Sequence, residues 1–182
     1  MSDATLSSPG PAAAPSFFAF PNPVNEVAAR TIALGVVVLS LVALVLQLEW
    51  LVVLIALGFL ARVAAGPKAS PLGLLATRVI VPRLGMAPRP TAGPPKRFAQ
   101  AIGATFSVAS AVLLLLVDAD LAGWIVLGAL VGAAFLEGAL GICLGCRAFA
   151  VLIRLGVVPE DVCEACNDIW SRPGVTRPGA DA

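Results

Sequence analysis

Four long apolar stretches leave this chain few folds to choose from. They run over about 28–46, 50–66, 98–117 and 121–142, each near the ~20 residues that carry a helix across ~30 Å of hydrocarbon at ~1.5 Å per residue. None has the polar stripe that a helix of a water-soluble bundle presents. Composition agrees: 59% of the 182 residues are apolar and only 13% charged, with a mean hydropathy of +0.95. A soluble domain carries about 25% charged residues. The expected fold class is therefore all-α, an integral membrane protein with four transmembrane helices.

The connections set the orientation. A tight turn around Leu48 and Glu49 joins the first two segments, and "DADLAG" joins the last two. The long connection 67–97 carries Lys68, Arg78, Arg83, Arg89, Lys96 and Arg97 and no acidic residue, whereas the short turns carry Glu49, Asp118 and Asp120 and no cation. The positive-inside rule puts the basic loop in the cytoplasm, and with it both termini. The expected location is the inner (cytoplasmic) membrane. Within the loop, "PLGLLATRVIVPRLG" reads as a short helix in the headgroup layer with Arg78 and Arg83 near anionic lipid. "APRPTAGPPKR" reads as a linker. Residues 1–23, rich in Ser, Ala and Pro, and 171–182 read as disordered tails, with Phe17, Phe18 and Phe20 near the bilayer interface. The transmembrane domain is then 24–142.

The chain has no histidine and no tyrosine. Imidazole catalysis and imidazole ligation of zinc or haem are excluded. There is no GxGxxG or Walker A pattern, and a net charge of +1 gives no reason to expect nucleic acid as a partner.

All four cysteines lie in "GICLGCRAFAVLIRLGVVPEDVCEAC", as the pairs Cys143/Cys146 and Cys163/Cys166. The reading that follows continues the fourth helix through Cys146, caps it at Gly156, and begins another helix at Pro159. A cytoplasmic helical hairpin over 143–170 results, with one CxxC on each arm. Cytoplasmic thiols are normally kept reduced, which leaves two readings. As thiol chemistry, a cysteine pair exchanges a disulfide or persulfide with a soluble protein, with Cys146, beside Arg147, as nucleophile and Cys143 resolving; Cys163 and Cys166 form a second candidate pair. As metal chemistry, C-x2-C-x16-C-x2-C has the spacing of a four-thiolate zinc site, with Cys143, Cys146, Cys163 and Cys166 as ligands of a structural Zn that shapes a docking surface. A small transporter of sulfur compounds is a third class, and one that requires a homo-oligomer.

Glu137 is the one carboxylate inside an apolar span, and such a residue is a functional candidate by default. On a continuous helix at ~100° per residue it lies ~120° from Cys143 and ~180° from Cys146, off the face of that pair. Arg30 or Arg62 on a neighbouring helix is its expected partner, and a proton relay or quinone contact is the alternative reading.

The stretches "FPNPVNEVAART", "LGFLARV", "SPLG", "ATRV", "GPPKRFAQ" and "GICLGCRAF…RLGVVPEDVCEAC" resemble the bacterial membrane proteins grouped as domain of unknown function 4395, over about 17–170. The resemblance implies the membrane architecture. Since members are often encoded beside thioredoxin-like proteins and rhodanese-type sulfurtransferases, it also implies thiol or sulfane-sulfur chemistry with such partners.

Overall fold

A computed structural model describes residues 20–159. The fold is all-helical. Helix α1 (Glu26–Leu46) and α2 (Glu49–Ala65) form one hairpin, and α5 (Gly93–Leu115) and α6 (Asp120–Leu140) form another. Between them run the short helices α3 (Pro71–Leu75) and α4 (Val81–Leu84), joined through a π-helical turn over Ala76–Ile80, and α7 (Leu144–Arg154) follows α6. The basic connection is thus helical over 71–84, where a headgroup-level helix was expected. Three of the helices, α1, α5 and α6, are long and apolar enough to cross a membrane; α2 has 17 residues.

The four long helices pack in the cyclic order α1, α6, α5, α2, with α2 against α5 and α1 against α6 as the most extensive contacts. Val36, Val52, Ile55, Phe59, Leu114, Leu127 and Leu130 fill the centre. Val38, Val45, Leu54, Leu57, Ile125 and Phe135 face outward and are exposed. Being apolar inside and outside alike is the pattern of helices whose surroundings are themselves apolar. Gly103 lies so close to Phe59, and Gly138 to Leu34, that an added Cβ would sit 2.2 and 2.8 Å from those side chains. Small residues give such close backbone approach. Of the small residues on the fourth segment, Gly138 is used this way, while Gly128 and Gly132 face open space.

One end of the bundle is basic and tied together by local chemistry. Asn25 caps α1, its Oδ1 accepting from the Val27 N–H at 3.0 Å. The two-residue strands β1 (Val24–Asn25) and β2 (Pro90–Thr91) pair antiparallel and fix the end of the long connection beside the entry to α1. Helix α5 begins at Gly93, earlier than the apolar run suggests, because Pro94 and Pro95 occupy its first turn, where a missing N–H costs nothing. Lys96 and Arg97 are consequently helical residues rather than loop residues. Two helix C-termini at this end are capped by arginines from neighbours. Arg30 donates to the carbonyls of Gly138 (3.2 Å) and Ala139 (2.9 Å) on α6, and Arg97 donates to Val63 O (2.9 Å) on α2. Each satisfies carbonyls that have no partner within their own helix and opposes the negative end of its dipole.

The expectation that the fourth helix continues through Cys146 is corrected. Helix α6 stops at Gly141, which has φ +71°, and the Ile142 N–H reaches back to Leu136 O at 2.9 Å. Glycine enters this left-handed region without the steric cost that a Cβ brings. Replacing Gly141 by Ala is therefore expected to cost about 1–2 kcal/mol, read as a lower thermal midpoint in detergent. An added Cβ would meet nothing nearer than 3.5 Å, so backbone strain and not crowding is what the measurement isolates.

A candidate thiol site at one end of the bundle

The turn at Gly141 folds α7 back over the bundle. Cys143 becomes the N-cap of α7, and its Sγ accepts from the Cys146 N–H at 3.3 Å. The Cys146 thiol also donates to Cys143 Sγ, the two sulfurs lying 2.7 Å apart, and neither is in a disulfide. Helix α7 seats on α5 through Gly145, where an added Cβ would be 2.5 Å from Ala99 Cβ, and through Phe149, whose ring centroid is 5.5 Å from that of Phe98. Cys143 is buried and Cys146 half-buried.

Beneath this pair, Lys96 Nζ and Glu137 Oε1 form an ion pair of 2.8 Å between α5 and α6, with side-chain exposures of 9% and 16%. The expected partners of Glu137 are thus corrected. Arg30 is spent on the α6 carbonyls. Arg62, only 3% exposed, donates from Nε to Gln100 Oε1 (2.9 Å) and from Nη1 to Ser70 Oγ (3.4 Å), and its guanidinium lies over the Phe59 ring at 4.4 Å. Its Nη2 has no hydrogen-bond partner.

The helix break also brings Glu137 and the cysteine pair together. Lys96 and Glu137 are close enough to act on both thiols electrostatically. Three influences hold Cys143 below the ordinary thiol range: the thiol hydrogen bond from Cys146, the Lys96 ammonium and the Cys146 N–H; burial and Glu137 oppose them. The same sulfur–sulfur hydrogen bond keeps the proton on Cys146 and pushes that thiol up, with burial adding to the effect. The site therefore favours the thiolate form at Cys143 over that at Cys146.

Two of the four expected cysteines are brought together. Cys163 and Cys166, and with them the second arm of the hairpin, lie outside the described residues, as do 1–19 and 171–182. Among the described residues no group of three or more His, Cys, Asp or Glu comes together as a metal site. A four-thiolate zinc site would draw on Cys163 and Cys166. Sequence reasoning overlooked Lys96 because it was counted with the loop. The Pro-Pro pair at 94–95, a helix-start signal, would have placed it at the same end as Glu137.

Two expectations follow. Single replacement Lys96→Met strands the Glu137 carboxylate and should cost about 3–5 kcal/mol in detergent unfolding, whereas Lys96→Met with Glu137→Leu should recover most of that loss. Alkylation by iodoacetamide, mapped by peptide mass, should reach Cys143 before Cys146 as pH rises, with a Cys143 midpoint below the ~8.5 of a free thiol. Lys96→Met should move that midpoint up, since a cation that favours the thiolate is lost.

A family model described as a domain of unknown function, DUF4395, matches residues 24–154. No curated protein and no solved structure matches the chain.

Proposed function

The chain belongs to the DUF4395 family, and on that premise we propose that it is a membrane protein that exchanges disulfides with a soluble, thioredoxin-like partner through Cys143 and Cys146. The observation that carries the reading is the unequal pair: a buried sulfur that caps α7 and accepts from the Cys146 N–H, next to a half-buried sulfur 2.7 Å away. In this reading all four long helices cross the bilayer, α2 at the short end of the ~17–25 residues that suffice. The basic end faces the cytoplasm of the cell, since its loop carries the cations and the opposite turns carry Glu49, Asp118 and Asp120. The thiol site then stands at the cytoplasmic face of the inner membrane, within reach of a soluble protein.

The asymmetry favours one direction of exchange. With Cys143 and Cys146 joined as a disulfide, a thiolate of the partner attacks the more accessible sulfur, Cys146. The Cys143–Cys146 bond breaks, and Cys143 departs as the thiolate that the α7 N-terminus and Lys96 stabilise, which makes it a good leaving group. The partner's second thiolate then attacks its own sulfur in the mixed disulfide. Cys146 is released and takes a proton, and the partner leaves oxidised. Read backwards, Cys143 resolves a mixed disulfide carried by Cys146.

The test is a trapping experiment in membranes of cells that express single variants. Cys143→Ser lacks the resolving thiolate and should accumulate a mixed disulfide, mapped by peptide mass to Cys146, on a thioredoxin-like protein. Cys146→Ser should accumulate none. Trapping on Cys143 alone would reverse the assignment, and trapping in neither variant would remove the function.

A further inference from the structure

At the basic end of the bundle a cavity of about 230 Å³ lies between α1, α2, α5, α6 and α7, and Cys143 stands on its wall. Three features of that wall specify a ligand. The lining is mostly apolar, with Phe59, Gly103, Leu130 and Ala134 among it, and the carboxylate it contains, Glu137, is paired with Lys96, so the occupant has a neutral, apolar body. Arg62 also lines it and is 3% exposed, yet its Nη2 has no hydrogen-bond partner. Nε and Nη2 share one edge of the guanidinium plane, and Nε of that edge is bonded to Gln100, another residue of the cavity wall. A buried donor left unpaired costs about 1–3 kcal/mol, and an acceptor oxygen on a ligand in the cavity would relieve it. The third feature is Cys143, which lines the cavity with the Cys146 sulfur 2.7 Å behind it. Exposed residues on the same wall, Phe106, Leu144 and Ala148, leave the cavity open on its outer side, where a hydrocarbon tail can run out into lipid.

An apolar ring with carbonyl oxygens, a greasy tail and the capacity to take two electrons is a quinone. We propose that this cavity binds the head group of a lipid-soluble quinone, which reoxidises the Cys143–Cys146 dithiol after each exchange; the inference rests on the exchange function proposed above. The step balances. The Cys143 thiolate forms a sulfur–carbon bond to the quinone ring, whose oxygen takes a proton from solvent. Cys146 sulfur then attacks Cys143 sulfur as its own proton is lost to the second ring oxygen. The sulfur–carbon bond breaks, its electron pair stays on the ring, and a disulfide and a hydroquinone result. Two electrons pass from the cysteine pair to the quinone, with one proton from Cys146 and one from solvent. Together with the exchange, electrons run from the partner's dithiol to the membrane quinone pool.

The experiment uses the full chain, purified in lipid nanodiscs, reduced and held without air, with decylubiquinone as the probe. In parallel, exchange with glutathione disulfide is followed as thiol loss. We expect one quinol formed for every two thiols lost. Ala133→Phe, which places a ring in the cavity from α6, should slow quinol formation by about tenfold or more while glutathione exchange stays unchanged. Should that variant fail to fold, Ala148→Trp fills the cavity from an exposed position on α7 and serves the same purpose. If the pair exchanges with glutathione disulfide but yields no quinol, or if quinol formation ignores both fillings, the quinone site is overturned and the exchange function stands. If the pair reacts with neither oxidant, both fall.

Discussion

An ammonium and a carboxylate held 2.8 Å apart inside an apolar bundle set the terms for the rest of this structure. Neither charge is tolerable there alone, because the cost of removing it from water exceeds what packing returns. Lys96 therefore has to lie in the first turn of α5 and Glu137 in the last turns of α6, and the two helices are locked in register at that end. The pair also supplies the electrostatic setting of the cysteines, one charge favouring a thiolate and the other opposing it. The unequal settings of the two sulfurs are a product of this balance together with the N-cap geometry of Cys143.

Arginine does the corresponding work at the helix ends. Arg30 and Arg97 reach across to carbonyls at the ends of α6 and α2 that have no partner within their own helix. Arg30 also makes the break after α6 affordable, since it satisfies Gly138 and Ala139 where the helix ladder ends.

Much of the architecture could be read directly. The apolar runs locate α1, α2, α5 and α6 to within a few residues, since a helix in apolar surroundings needs little beyond length and hydropathy to declare itself. The helical character of 71–84 was also readable, from apolar residues spaced around Arg78 and Arg83. What escaped was local. Gly141 looked like one small residue among several, and nothing in hydropathy separates a glycine that ends a helix from one that lets a neighbour approach. The consequence was large: a straight helix puts Glu137 on the far side from Cys146, whereas the turn sets the pair above it. Lys96 escaped for a related reason, since charge led it to be grouped with the loop although Pro94 and Pro95 had already begun the helix. The cysteine pair was legible as chemistry and not as geometry. Spacing alone gives i and i+3, but only the break makes Cys143 a cap.

The order of packing has a bearing on how the chain is assembled. Helices α1 and α2 are neighbours in sequence, yet each makes its broadest contact with a helix of the second hairpin, α1 with α6 and α2 with α5. The first hairpin to be synthesised thus carries Arg30 and Arg62 without the carbonyls of α6 and the amide of Gln100 that later engage them. Arg30 then lacks its acceptors, while Arg62 already has the Phe59 ring on its own helix and Ser70 shortly after it. The broadest contacts of both α1 and α2 come from α6 and α5, so the first hairpin reaches its final packing only once the second is present.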